Sequence, residues 1–91
     1  MWYVYILKSV KDDGYYIGST GNIEQRLKKH NAGGTISTKN RRPFELVYKE
    51  WYYTKSEALL RERSIKNYKG GNAFRELINR VGTQVVNEGR L

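Results

Sequence analysis

One short predicted helix carries two side chains that could act on a phosphate group. Arg26 and His30 lie four residues apart in a helix predicted over residues 23–31. At 3.6 residues per turn they are neighbours at the edge of the apolar stripe formed by Ile23 and Leu27. A guanidinium and an imidazole in that position could bind an anion and move a proton. The alternative is an arginine whose stem covers apolar surface, next to a lone surface histidine.

A glutamate of the second predicted helix lies within an apolar face. Ala58, Glu62 and Ile65 share one side of this helix. A carboxylate among apolar residues is costly unless it is paired or binds a cation. Glu62 is therefore either a cation ligand or one partner of an i, i+4 salt bridge with Lys66, and the sequence leaves both open.

Two tyrosines on neighbouring predicted strands add phenol groups to this set. Tyr5 shares a face of the first strand with Tyr3 and Leu7, and Tyr16 shares a face with Gly18 on the second. A glycine inside a strand often marks the close approach of a ligand or of another backbone. Simple packing is the alternative for any one of the eight tyrosines.

The elements that must position these side chains follow the order β-β-α-β-α-α. Aromatic and β-branched runs predict strands over residues 2–9, 15–19 and 44–53, with an Asp-Gly hairpin signal between the first two. Helices are predicted over 23–31, from the capping box at Thr54 to about residue 68, and over 73–81. This order predicts an α+β domain with a three-stranded antiparallel sheet flanked by helices. We expect one domain over residues 1–82 and a C-terminal tail over 83–91.

The composition favours a polyanion as partner. Seventeen Lys and Arg residues oppose nine Asp and Glu residues, a net charge of +8. That charge indicates nucleic acid, an anionic membrane surface or an acidic protein. None of the predicted helices sets a basic face against the broad apolar face of a membrane-surface helix, so nucleic acid is favoured.

The residue types that are missing exclude several classes of protein. The chain has no cysteine and one histidine, which excludes a disulfide framework and a Cys/His metal cluster. Neither a signal-peptide pattern nor an apolar run of ~20 residues is found in the sequence. We therefore expect a cytoplasmic protein without a membrane span.

These residues, in this order, resemble the GIY-YIG nuclease superfamily. Its name-giving triplets match Tyr3-Val4-Tyr5, in a degenerate form, and Tyr16-Ile17-Gly18, with ten residues between them. The family's arginine, the histidine or tyrosine one turn later, and its metal-binding glutamate match Arg26, His30 and Glu62. The resemblance covers about residues 2–68 and is nearest to small stand-alone bacterial members.

The resemblance implies a metal-dependent endonuclease that hydrolyses DNA phosphodiester bonds. Glu62 would hold Mg²⁺ or Mn²⁺, and Arg26 would bind the phosphate. One of Tyr5 and Tyr16 would take the proton from the attacking water, and the other would position that water or a phosphate. His30 would assist the proton transfer or hydrogen-bond to phosphate.

The resemblance also implies how DNA would be held. Five basic residues would bind the backbone electrostatically, which sets affinity and not sequence choice: Lys28, Lys29, Lys39, Arg41 and Arg42. We therefore expect weak sequence specificity or selectivity for structure, on single-stranded, duplex or branched DNA. A monomer and a weak homodimer both remain open.

Departures from the family pattern keep a non-catalytic alternative open. Ser19 stands where some excision-repair members have a lysine. The late asparagine of the family could be Asn72, Asn79 or Asn87, none of them in a matching context. The alternative is therefore a nucleic-acid-binding module with the same fold and little or no catalysis.

A third hypothesis is a basic adaptor that binds another protein. Its contact patch would consist of Trp2, Trp51 and Tyr52. Packing in the core explains these aromatic residues better, because large aromatics supply much of the buried area in a small domain.

Overall fold

The computed structural model describes residues 1–36, 38–68 and 71–79. Three strands and three α-helices follow one another in the predicted order, which confirms the α+β fold. Their bounds are β1 Trp2–Ser9, β2 Tyr15–Thr20, α1 Ile23–Asn31, β3 Phe44–Tyr52, α2 Lys55–Lys66 and α3 Asn72–Ile78, with a 3₁₀ turn at Lys39–Arg41. That turn lies inside a stretch for which no regular structure was predicted.

The sheet has β1 at its centre. β1 pairs antiparallel with β2 on one side and with β3 on the other. Both faces of β1 are covered, since Val4 and Ile6 are buried on one face and Tyr5 and Leu7 on the other. This two-sided burial explains why the strand is apolar at successive positions and does not alternate.

The predicted hairpin between β1 and β2 is present. The Ser9 N–H donates to the Gly14 carbonyl at 2.8 Å, and the Gly14 N–H donates to Asp12 Oδ1 at 2.8 Å. Asp13 has a φ of 60°, a left-handed conformation that a short polar side chain tolerates. The tight turn places β2 against β1, so that the two tyrosines of the sequence analysis lie on paired strands.

The sheet separates two apolar clusters. On one face, Val4, Ile6, Tyr48 and Tyr52 pack against α2 and α3. On the other face a smaller cluster joins the sheet to α1, and its members are Tyr5, Leu7 and Phe44 with the partly buried Tyr16, Ile23, Leu27 and Leu46. Tyr5 and Tyr16 therefore lie on the α1 face, while Glu62 belongs to a helix on the opposite face.

Side-chain caps start both of the longer helices. The Asn22 side chain accepts the Gln25 N–H at 3.1 Å at the start of α1. Thr54 and Glu57 form the predicted capping box at the start of α2. In α2, Leu59 and Leu60 are exposed while Ala58 and Ile65 are buried, so the helix packs on the sheet through the face that carries Ala58 and Ile65.

Two predictions fall outside the part of the chain that the structure describes. These are the end of the third helix near residue 81 and the tail over 83–91. Within the described residues, no helix combines the length and the apolar character needed to cross a membrane.

Candidate active site

The candidate site is built around a contact between two tyrosines and a histidine. Tyr5 Oη lies 3.3 Å from His30 Nε2. The Tyr16 ring packs on the imidazole with 4.8 Å between ring centroids, and 6.4 Å separates the Tyr5 and Tyr16 centroids. β1, β2 and α1 each supply one of these three rings, so the cluster exists only when the helix is packed on the hairpin.

Gly18 makes room for Tyr5. The two residues face each other across the β1–β2 pair, and a Cβ added at Gly18 would lie 2.5 Å from Tyr5 Oη and 2.7 Å from Cζ. Such distances do not occur between real atoms without displacement. The close approach that an in-strand glycine predicts is therefore made by the tyrosine ring.

Tyr5 is held in its protonated form. Its side chain is buried, and this burial raises the pKa of the phenol well above its ordinary value. The charges of Tyr16 and Glu62 raise the pKa further, and the charge of Arg26 opposes them. A protonated phenol can donate its hydrogen bond to an unprotonated His30 Nε2.

His30 is fully buried and not at the edge of the helix face. Its Nδ1 lies 2.8 Å from Thr38 Oγ1, and the Thr38 hydroxyl is 3.4 Å from the Thr35 carbonyl. Burial lowers the pKa of the imidazole, and the charges of Arg26 and Lys29 lower it further. A neutral ring that donates from Nδ1 to Thr38 and accepts at Nε2 from Tyr5 satisfies both contacts.

Thr38 is a site residue that the sequence analysis missed. It lies in the polar stretch between α1 and β3, yet its side chain is fully buried against His30. Threonine is common in such stretches, so residue type alone carries no signal for this role.

Arg26 lines a surface pocket beside the aromatic cluster. The pocket has a volume of about 300 Å³, and Lys29, Thr20, Asn22 and Gln25 complete its lining. Arg26 is close enough to both Tyr5 and His30 to lower the pKa of each. The pocket therefore presents two cations; Arg26 acts electrostatically on Tyr5, and both Arg26 and Lys29 act on His30.

Glu62 approaches the site from the opposite face, at the β2 edge of the sheet. Ser19 Oγ donates to Glu62 Oε1 at 2.6 Å, and Lys66 Nζ lies 2.7 Å from Oε2. The i, i+4 salt bridge that the sequence left open is thus present. The carboxylate side chain is 17% exposed and faces a shallow pocket of about 250 Å³. Among the described residues, no group of three or more acidic or histidine side chains converges as a metal site would.

The five basic residues expected to hold DNA are spread over the surface. Lys29 lines the pocket with Arg26, whereas Lys28 and Lys39 are exposed elsewhere. Arg41 is paired with Asp12 at 3.0 Å, and Arg42 Nε donates to the Lys39 carbonyl at 2.8 Å. Of these five side chains, the structure brings Lys29 to the candidate site.

The α2 face of the sheet contains a buried ionic network that was not predicted from the sequence. Glu50 is 2% exposed and accepts hydrogen bonds from Tyr48 Oη at 2.7 Å and Tyr52 Oη at 2.5 Å. Arg61 Nε and Nη2 each lie 2.9 Å from the same carboxylate, and Arg61 Nη1 donates to Tyr68. Tyr52 is therefore a core residue and cannot belong to an exposed protein-binding patch.

Comparison with known proteins identifies the family. A family model described as the GIY-YIG catalytic domain matches residues 1–74. This chain belongs to the GIY-YIG family. The match spans every described strand and helix except the end of α3, and it places the chain in a family of nucleases.

Relatives of this GIY-YIG chain are small bacterial proteins. A UPF0213 protein of Staphylococcus haemolyticus is 52% identical over 67 residues, which are 72% of this chain and 80% of the relative. One from Staphylococcus aureus is 51% identical over the same length. The solution NMR structure of a UPF0213 protein from Bacillus halodurans is similar with a TM-score of 0.52 and 36% identity, over 90% of this chain and 87% of that one.

Proposed function

We propose that this protein is a divalent-metal-dependent endonuclease that hydrolyses phosphodiester bonds in DNA. The observation that carries the proposal is the convergence of Tyr5, Tyr16, Arg26 and Glu62 from four elements. Arg26, Tyr16 and Glu62 are all near enough to Tyr5 to shift the pKa of its phenol. Family membership and the net charge of +8 support the same substrate class.

Glu62 is the residue proposed to hold Mg²⁺ or Mn²⁺. Its carboxylate is held by Ser19 and faces an open pocket. One carboxylate fits Mg²⁺, which usually keeps several waters and takes substrate phosphate as a further ligand. When bound, the metal would polarise the phosphate and stabilise the leaving oxygen.

Arg26 and Lys29 are proposed to bind the phosphate oxygens. Both line the same pocket, and the charge of Arg26 acts on the Tyr5 phenol. The planar fork of arginine donates two parallel hydrogen bonds to a phosphate, and its charge offsets the negative charge that develops in the transition state. Lys29 adds a second cation without such directional bonding.

Tyr16 is the better of the two tyrosines for taking the proton from the attacking water. Tyr5 is buried, keeps its proton and hydrogen-bonds to His30. Tyr16 is partly exposed, and we propose that its hydroxyl contacts the attacking water. We assign Tyr5 and His30 to positioning, since their mutual hydrogen bond and the packing of His30 on Tyr16 hold the exposed phenol in place.

A cleavage assay with matched variants tests the endonuclease. Labelled single-stranded, duplex and branched DNA is incubated with the protein in Mg²⁺ or Mn²⁺. We expect Glu62→Gln and Arg26→Ala to lower the cleavage rate by about 100-fold or more, whereas Glu45→Gln and Arg75→Gln, at exposed positions away from both pockets, leave it unchanged. Cutting that persists in the Glu62 and Arg26 variants would come from a contaminant and would refute the assignment.

The two tyrosines are distinguished in the same assay. Tyr16→Phe removes the proposed base and should reduce the rate by about 100-fold or more. Tyr5→Phe removes a positioning hydrogen bond and should reduce the cleavage rate clearly less than Tyr16→Phe does. The opposite ranking would assign the proton transfer to Tyr5.

One observation favours a second candidate function, a DNA-binding module without catalysis. Both oxygens of Glu62 are already engaged, one by Ser19 and the other by Lys66. Salt-sensitive DNA binding without cleavage of any DNA shape, in either metal, would support this alternative.

A further inference from the structure

A second cavity lies next to the Arg26 pocket and has a different chemical character. Its volume is about 370 Å³, and it opens between the start of α1 and the face formed by β1 and β3. Ile23, Leu27 and Leu46 form its apolar wall. A cavity of this size accommodates one small organic group.

The polar part of the lining offers both donors and acceptors. Lys49 supplies an ammonium, Glu24 a carboxylate and Asn22 an amide. The Tyr3 ring completes the wall, with Lys49 Nζ 6.0 Å from its centroid. An aromatic face, an apolar wall and paired donors and acceptors together suit a flat heterocycle with polar edges.

The two cavities differ in which part of a nucleotide each would accept. Arg26 and Lys29 make the smaller pocket cationic, as phosphate requires. In the larger cavity the Glu24 carboxylate offsets the charge of Lys49, so this cavity is less suited to phosphate, and the carboxylate accepts hydrogen bonds from the amino groups of a base. The cavities are adjacent, because both are lined by Asn22 and because Tyr3 pairs with Thr20 of the smaller pocket.

We propose that the Tyr3 cavity binds an unpaired base of the DNA strand whose phosphate lies at Arg26. A base in a duplex has its polar edge paired and its faces stacked, so it cannot enter such a cavity. Base–aromatic stacking is the usual device of proteins that bind single strands. The protein would then act on single-stranded or locally unpaired DNA in preference to duplex DNA.

This site rests on the proposed function, because the phosphate at Arg26 sets the position of the base. The geometry nevertheless allows binding to be measured without cleavage. Fluorescence anisotropy in EDTA reports the affinity for a labelled 12-nucleotide single strand, for its duplex, and for a strand with abasic residues at its centre. The absence of metal-dependent cutting would refute the proposed nuclease activity, but it would not change the affinities measured in EDTA. The two proposals can therefore fail separately.

The variants are Tyr3→Ala, Tyr3→Phe and, as control, Tyr15→Ala. Tyr15 is another accessible strand tyrosine, but it packs on Phe74, away from this cavity. We expect Tyr3→Ala to weaken single-strand binding about tenfold without changing duplex affinity, and we expect Tyr3→Phe and Tyr15→Ala to bind as the unchanged protein does. Thermal unfolding of each variant identifies any loss of folded protein.

The abasic strand tests the same contact without changing the protein. It should bind the unchanged protein about tenfold more weakly than the intact strand, and it should bind Tyr3→Ala no more weakly than the intact strand does. Equal binding of intact and abasic strands, or an equal loss of single-strand and duplex affinity in Tyr3→Ala, would overturn the proposal. Displacement of the strand by micromolar free mononucleotide would instead identify a site for free nucleotides, and that outcome also overturns it.

Discussion

Gly18 shows how one missing side chain shapes the site. Tyr5 is fully packed, and its hydroxyl occupies the space where a side chain at Gly18 would begin. The glycine at the third position of the second triplet therefore has a steric explanation within this chain. The glycine allows a bulky phenol to lie flat against the neighbouring strand and to reach His30.

Gly18→Ala is expected to destabilise the protein by about 1–3 kcal/mol, because the added methyl group must displace the Tyr5 ring from a tightly packed core. Urea unfolding measures this loss. Gly21→Ala is the control, since its nearest neighbour would lie 3.8 Å away and the position is exposed. Equal stability of the two variants would contradict the packing explanation.

Lys66 occupies the side of Glu62 that a cation would need. Its ammonium lies 2.7 Å from Oε2, so a divalent cation at that oxygen must compete with it. Lys66→Met should therefore bind Mn²⁺ several-fold more tightly than the unchanged protein in a calorimetric titration without DNA. Lys28→Met removes the same charge from an exposed position on α1 and should change the affinity little. Weaker Mn²⁺ binding by Lys66→Met would show that the lysine supports the site.

At the scale of elements, α2 is fixed to the sheet by an ionic contact as well as by apolar packing. Arg61 of α2 reaches Glu50 of β3, and Ala58 and Ile65 on the same helix are buried against the sheet. Glu62 is the next residue after Arg61. The Glu50–Arg61 pair thereby sets the position from which the proposed metal ligand faces the β2 edge.

Removing the carboxylate of this pair should be costly. Glu50→Gln leaves the Arg61 guanidinium without its counter-charge, and we expect a loss of about 3 kcal/mol. Glu45→Gln, an exposed glutamate on the same strand, is the control and should be nearly neutral. Chemical denaturation of both variants measures the difference.

The same network predicts a specific dependence of stability on pH. Burial opposes ionisation of Glu50, but hydrogen bonds from Arg61, Tyr52 and Tyr48 outweigh it and lower the pKa. The unfolded state therefore takes up a proton at higher pH than the folded state does. The stabilisation is fully present above the ordinary glutamate pKa of 4.5 and is lost progressively as the pH falls below it. The free energy of unfolding of Glu50→Gln should fall less steeply below pH 4.5 than that of the unchanged protein. An equally steep fall in both proteins would exclude Glu50 as the source of the acid sensitivity.

At the scale of the whole molecule, the basic residues that give the net charge of +8 are not equally free to bind DNA. Lys29 faces the candidate phosphate pocket, while Arg41 is already neutralised by Asp12. Each cation that binds phosphate releases counterions from DNA, so its removal lowers the slope of log affinity against log salt concentration by about one. A cation with an internal partner contributes less.

Lys29→Gln should therefore reduce the salt slope of DNA binding by about one, and Arg41→Gln should reduce it by clearly less. Anisotropy titrations over a range of salt concentrations measure both slopes on one DNA. Equal slopes for the two variants would mean that the Asp12 pair opens when DNA binds.

The sequence by itself determined the order and type of the elements. Periodicity and capping residues act over a few positions, so the bounds 2–9 of β1 and 23–31 of α1 follow from local pattern alone. Net charge and the matched triplets likewise indicated the substrate class and the family. These are properties of residue type and spacing, which folding does not alter.

Only the tertiary structure decided which side chains meet and what each environment does to them. His30 was expected at a helix edge and is buried, because the stretch after α1 folds back and places Thr38 against it. Nothing in the strand pattern distinguished Glu50, and its ion pair forms only because α2 packs on the sheet and places Arg61 beside it. Tyr5 and Tyr16 were equivalent in the sequence, and only the structure distinguishes the fully packed Tyr5 from the partly exposed Tyr16. Contacts across 25 or more positions, such as Tyr5 with His30, depend on packing in three dimensions, which no local pattern encodes.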